Sequence, residues 1–307
     1  MTLNKPLSDL LLAKRNLNKV SYNSILKLIN RFQLSHVLCV WIPKNTMIFR
    51  ARPNENDEEF TSVDQISYLK EPVKFGRAHR PGSPMFYGSI ASPEKEDGFD
   101  CIATIIAESM AIFRNKFPVE SEKKLTIGRW STNDDLCVIG MIFNKTFLEN
   151  NIYFRDLKND YLTFLDQHRN NPFQIEFLNF ISDEFMKTSI DSDNDYKLSA
   201  AFVEAMLKGK YELDGIIYPS ARTEGKYLDI ALTPKCVNNS RISLKNVATT
   251  RLYYKNGYIT LDYEKEAFLK PGETEFCLTE ILDKSEHIGK ENALKQLEKE
   301  ISKNIKI

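Results

Sequence analysis

The sequence predicts an α+β protein, and three observations carry that class. Short apolar runs read as strands, apolar residues at helical spacing form stripes between them, and turn chemistry joins some strands in pairs. The strand runs are HVLCVWI (36–42), TMIFRARP (46–53), MFYGSI (85–90), LDGIIYPSAR (213–222), KYLDIALTP (226–234) and TTRLYYKNGYITLDYE (249–264). The helical stripes lie at 24–32, 100–114, 172–186 and 198–208.

In chain order, the first twenty residues carry Leu at the spacing of a short helix. Ile25, Leu26, Leu28, Ile29 and Phe32 make the next stripe. HVLCVWI then reads as a buried strand, PKNT as a turn and TMIFRARP as a returning strand, which together predict a hairpin. NENDEE (54–59) is an acidic loop, and EPVKFGRAHRPGSP (71–84) is a rigid Pro/Gly loop that feeds the strand MFYGSI. ASPEKEDGF leads into the helix at 100–114. Residues 117–170 mix Tyr and Phe with charges and offer no usable motif. Phe173, Phe177, Phe180, Ile181 and Phe185 give a helical stripe, a polar loop follows at 191–195, and 198–208 is amphipathic. LDGIIYPSAR and KYLDIALTP read as a strand and its hairpin partner. Asn256-Gly257 marks a further hairpin, the strongest short-range turn signal. Leu294, Leu297 and Ile301 amid Lys and Glu predict a solvated tail helix. The Tyr-rich hairpin reads as core packing in preference to a homodimer surface.

Composition narrows the function. In 307 residues, 42 Lys+Arg balance 42 Asp+Glu, which argues against a dedicated nucleic-acid binder. No run approaches the roughly 20 apolar residues that span a bilayer. The Leu run near the N-terminus is too short and interrupted for a secretory signal. The five Cys are scattered and odd in number, so a reducing cytoplasm is the expected setting. His36, His79, His168 and His287 lack metal-ligand spacing and read mostly as surface or loop residues. Phosphate-loop, dinucleotide-fingerprint, zinc-protease and serine-elbow motifs are all absent. Asn144 and Asn239 open Asn-x-Ser/Thr triplets that carry no weight without a signal peptide.

Four positions are chemically unusual. On the MIFRARP strand, Ile48, Arg50 and Arg52 share one face, and two guanidiniums there need anions, for which NENDEE is available. In GRAHRPGSP the glycines and prolines set the backbone while Arg77 and Arg80 offer rigid anion forks. Tyr87 leaves that loop on the strand face of Met85 and Ser89. Glu108 is the only charge between Asp100 and Arg114, at the edge of a stripe of Ile102, Ile105, Ile106, Ser109 and Phe113. A carboxylate so placed needs a cation or hydrogen-bond donors. It is either half of a structural pair with an Arg or a catalytic carboxylate. Ser220, after Pro219 at the end of an apolar strand, has the ordinary reading of a turn residue.

Taken in order, FRARP, GRAHRPGSPMFYGS, the helix carrying AES, and GIIYPSAR resemble the RES-domain family, named for its Arg, Glu and Ser positions. FISDEFMK (180–187), and LSAAFVEAM (198–206) ahead of DGIIYPS, are similar to segments of its larger members. The resemblance covers residues 45–237, with 1–44 a helical extension and first strand, 117–170 an insertion, and 238–307 a hairpin and helix extension. ASPEKEDGF is a longer insert between Tyr87 and Glu108 than compact members carry.

The resemblance implies a split, mixed sheet with surrounding helices, similar to ADP-ribosyltransferases. It also implies NAD as a substrate whose nicotinamide–ribose bond is cleaved, with water or phosphate as acceptor, by the toxin of a toxin–antitoxin pair whose partner is an Xre-type antitoxin. Carried over residue by residue, Arg50 is the first family arginine, Arg77 the arginine after the loop glycine, Tyr87 the strand tyrosine, Glu108 the helix glutamate and Ser220 the serine, with Arg52 a neighbour. The chemistry suits those residue types, since expelling an already cationic nicotinamide needs no strong acid. It needs an anion beside the oxocarbenium-like sugar and cations for the pyrophosphate. Glu108 would be the anion, Arg50, Arg77 and Arg52 the cations, Tyr87 a face for the nicotinamide, and Ser220 a partner for Glu108 or a ribose hydroxyl. No metal is required. The rival expectations are protein ADP-ribosyl transfer with the same residues, a silent RES-like binding module, and a sugar- or nucleotide-processing enzyme, for which no second carboxylate stands out.

Overall fold

A computed structural model of the chain describes residues 5–34, 36–91, 99–109, 120–150, 155–255 and 258–281. In chain order its elements are α1 (Lys5–Lys14), α2 (Tyr22–Asn30), β1 (Cys39–Ile42), β2 (Met47–Pro53), α3 (Val63–Ile66), β3 (Phe86–Ile90) and α4 (Phe99–Ser109). These are followed by β4 (Glu120–Thr132), β5 (Leu136–Gly140), α5 (Lys145–Asn150), α6 (Arg155–Gln167), α7 (Pro172–Phe185) and α8 (Lys197–Leu207). The last are β6 (Gly215–Pro219), β7 (Leu228–Leu232), α9 (Pro234–Asn238), β8 (Ile242–Lys255), β9 (Tyr258–Phe268) and β10 (Thr279–Glu280). The expected α+β class stands, with a mixed sheet because β5 and β6 run parallel while the other described strand pairs are antiparallel. No helix among the described residues is long and apolar enough to cross a membrane.

The chain divides into two interleaved units. The first comprises described residues up to Pro43, Leu69–Tyr87 and Asp135–Asn239. Its strands run β1-β5-β6-β7, and α7 and α8 pack on β6. Local chemistry sets the helices. The Ser21 hydroxyl accepts the Ser24 N–H at 3.1 Å and opens α2, and Asn171 caps α7 ahead of Pro172. Phe177, Ile181 and Phe185 of α7 are fully buried, whereas Phe173 of the expected stripe is exposed. Helix α1 is seated by Leu7, Leu10 and Ala13, and its Lys14 pairs with the buried Glu184 of α7. Within the sheet, β6 lies between parallel β5 and antiparallel β7, so Gly215 meets backbone on both sides. A Cβ there would stand 2.1 Å from the Ala231 carbonyl oxygen. Gly215→Ala is therefore expected to lower stability by about 1–3 kcal/mol or more, read as a lower urea midpoint with an unchanged slope.

The second unit comprises Lys44–Tyr68, the described residues of Gly88–Asp134, and those from Ser240 onward. Here β2 pairs with β3 and β4, β4 with β8, β8 with β9 and β9 with β10. The expected β8–β9 hairpin is formed, closing at Lys255↔Tyr258. Its Asn256-Gly257 turn and the tail helix at Leu294, Leu297 and Ile301 lie outside the described residues, as does the last part of the helix expected at 100–114.

One expected pairing is corrected. TMIFRARP does not return along HVLCVWI: β1 pairs with β5 from Cys39↔Ile139 to Ile42↔Leu136, and β2 pairs elsewhere. The turn explains the difference. The Asn45 N–H donates to the Thr132 carbonyl at 2.8 Å and the Thr46 N–H to the Thr132 hydroxyl at 2.9 Å. Those bonds commit the start of β2 to the end of β4. The segment at 117–170, which carried no motif, supplies β4, β5, α5 and α6.

Candidate functional site

In the first unit, the loop ahead of β3 is tied at several points. Gly76 and His79 exchange backbone bonds at 2.9 and 3.3 Å, and the Phe75 N–H donates to Asp193 at 3.1 Å. Arg77 is buried, donating from Nη1 to the Phe185 carbonyl at 2.7 Å and from Nη2 to the Lys187 carbonyl at 3.0 Å, with its guanidinium over the Tyr196 ring. Carbonyls at a helix end have no partner within the helix, and this fork supplies one to the end of α7. Arg80 meets the α8 carboxylate of Glu204 at 2.9 Å, where Tyr22 and Lys208 also donate. Burial pushes the Glu204 carboxyl up, but the bonds from Lys208 and Tyr22 and the Arg80 charge outweigh it and hold it below its usual range.

Tyr87 is half-buried at the start of β3. Its hydroxyl accepts the Ala78 N–H at 2.9 Å and lies 2.6 Å from His79 Nδ1. Ser220 is fully buried just past β6. Its N–H donates to the Tyr227 carbonyl at 2.8 Å and its carbonyl accepts from Gly225 at 3.0 Å, so its backbone closes the β6–β7 turn. The Phe185 ring lies 4.9 Å from that of Tyr218, and Gly225 packs near Met186. The end of α7 thus meets both the Arg77 loop and the strand and turn that carry Ser220.

In the second unit, Arg50 donates from Nε to the carbonyls of Ile66 and Ser67 at 3.1 and 3.0 Å. Arg52 donates to the Gln65 carbonyl at 2.8 Å. Both arginines close the end of α3, as Arg77 closes the end of α7. Glu59 of the acidic loop meets Lys265 at 2.7 Å and Lys124 at 3.5 Å, while Asp57 meets Arg251 at 3.7 Å. Half-buried Glu108 stands seven residues after Cys101 and three after Ile105, on the same face of α4. Cys101 and Ile105 pack with Phe49, Ala51 and Ile127 on one face of β2 and β4. The opposite face carries Arg50 across from Gly128, against which Ile66 packs. The structure therefore brings Arg50 and Arg52 together at α3, and sets the covering face of α4, with Glu108, on the other side of that sheet.

Sequence reasoning passed over His79, whose ring bonds to Tyr87 and to the Lys74 backbone. Burial pushes its imidazole below the ordinary 6.5, an effect the Lys74 bond only partly offsets. Below about pH 6.5 the unfolded chain binds a proton that folded His79 resists, so stability is full above that pH and falls as acid is added, until the folded imidazole also protonates. Urea unfolding from pH 7.5 to 5 is expected to show a shallower decline for His79→Asn than for wild type. Among the described residues, no group of three His, Cys, Asp or Glu is placed to hold a metal ion. Compared with known proteins, the chain matches no family model and no curated protein.

Proposed function

We propose that this chain cleaves the nicotinamide–ribose bond of NAD, as a RES-type enzyme passing the ADP-ribosyl group to water or phosphate. The observation that carries the reading is the assembly around the end of α7. The GRAHR loop that holds Tyr87, FISDEFMK and GIIYPS come from three separate parts of the sequence, and Arg77 of the first and Tyr218 of the last both reach the end of α7. These stretches are among those that carry the family resemblance, while FRARP and the helix carrying AES belong to the second unit.

In this proposal Glu108 supplies the anion that stabilises the sugar cation and takes a ribose hydroxyl or the acceptor's proton. Tyr87 offers its face to the cationic nicotinamide. Ser220, fully buried, supports the β6–β7 turn, and the ribose contact expected of it is not carried into the proposal. Arg77 anchors the loop that carries Tyr87 through the carbonyls of Phe185 and Lys187. The pyrophosphate role expected for Arg50 and Arg52 is not carried into the proposal, because both close the end of α3 on the sheet face opposite α4. An Xre-type antitoxin is the protein partner that accompanies this reading. The test is release of nicotinamide from NAD by purified protein, followed by chromatography with and without phosphate. Release is expected, with phosphate dependence identifying the acceptor. Folded protein freed of any co-purified partner that releases none overturns the reading, and label appearing on protein instead moves it to ADP-ribosyl transfer.

A further inference from the structure

The loop from Lys74 to Tyr87 is tied by a short contact between two of its side chains. The Tyr87 oxygen accepts the Ala78 N–H at 2.9 Å and lies 2.6 Å from His79 Nδ1. Neutral imidazole has one donor and one acceptor, so in its Nε2–H form Nδ1 would accept the Tyr87 O–H. The two rings also meet edge-on, with centroids 5.5 Å apart and planes at 62°, which limits rotation of the tyrosine ring.

Gly76 gives independent evidence that the loop is shaped around this pair. A Cβ on Gly76 would lie 2.3 Å from His79 Cε1, 2.6 Å from Nδ1 and 3.0 Å from the Tyr87 oxygen. The glycine makes room for the His79–Tyr87 bond.

We propose that His79 is the positioning residue for Tyr87: neutral and protonated on Nε2, it accepts the phenolic hydrogen and holds the tyrosine ring as the platform for the positively charged nicotinamide ring. The inference rests on the NAD reading above and deepens it. Neutrality matters because an imidazolium at the edge of the platform would repel the cation that the face attracts.

Two measurements test it. Long-range proton–nitrogen NMR on labelled wild type, with His79 identified by its loss in His79→Gln, is expected to show the neutral Nε2–H form and a changed Nδ1 shift in Tyr87→Phe. Steady-state kinetics are expected to show KM for NAD raised about tenfold in His79→Ala and in Tyr87→Phe, with kcat within about twofold, the loss of one oriented hydrogen bond. The double variant should be no worse than either single one, Gly76→Ala should behave like His79→Ala, and His79→Asn, which keeps an acceptor where Nδ1 stands, should recover part of the loss. An Nδ1–H tautomer in wild type overturns the proposal without any variant having to fold. An NAD-active wild type whose KM is unmoved in His79→Ala overturns the positioning role alone. A wild type that neither binds nor cleaves NAD removes the NAD reading and the platform with it.

Discussion

Glu108→Gln is expected to cut nicotinamide release by a factor on the order of 10²–10³ while the protein stays folded. Amide and carboxylate have nearly the same shape, so the packing of α4 through Cys101 and Ile105 on Phe49, Ala51 and Ile127 is left in place. What disappears is the negative charge. As the bond to nicotinamide breaks, positive charge moves from the leaving ring onto the ribose, and a nearby carboxylate is worth more to that state than to bound NAD. An interaction made mainly in the transition state appears in kcat, so KM should stay close to wild type. This is the reverse of the pattern expected for His79→Ala, and the two variants together separate chemistry from ring placement. Circular dichroism and a urea midpoint near wild type would show that the loss is chemical. Release within threefold of wild type would take Glu108 out of the reaction and leave the proposal without its carboxylate.

What could be read in the sequence follows the range of the forces involved. Helices α2, α7 and α8 and the pairs β6–β7 and β8–β9 are set by caps, stripes and turns within a few residues, and each is visible in the chain. Strand β1 looked like the partner of β2 because the PKNT turn joins them, yet turn residues can bond to remote strands, and here they bond to Thr132. Strand β4 was hidden for another reason. Its Lys124 and Thr126 are buried with partners in the 54–59 segment, Thr126 donating to Asn54 at 3.0 Å, so polar residues occupy positions where apolar ones would have revealed the strand.

The candidate site follows the same rule. Arg50, Arg52, Arg77, Tyr87, Glu108 and Ser220 were selected as residue types suited to anion and sugar chemistry, and the sequence could not say where their donors go. All three arginines give donors to backbone carbonyls at helix ends, and a carbonyl carries no residue-type signature. His79 escaped notice because its significance depends on a tyrosine oxygen eight residues away across a turned loop.

Arg77→Lys separates a phosphate ligand from a loop anchor, and the anchor outcome is expected. Lysine keeps the charge but presents one compact ammonium where arginine offers a planar fork. It cannot serve the carbonyls of Phe185 and Lys187 together, which Nη1 and Nη2 reach at 2.7 and 3.0 Å from a buried side chain. The variant therefore leaves a carbonyl at the end of α7 short of a donor, and weakens the stacking over Tyr196. Leaving a buried acceptor unsatisfied costs about 1–3 kcal/mol, visible as a lower urea midpoint at unchanged slope. Because the same loop carries His79 and its bond to Tyr87, loosening it should also raise KM for NAD, and the Nδ1 signal of His79 should shift as the phenol bond lengthens. A side chain acting only as a phosphate ligand would give another pattern: KM would rise, stability would stay at wild type, and the His79 signal would not move. Stability, KM and the imidazole signal changing together is the signature of a guanidinium that works through the loop it holds.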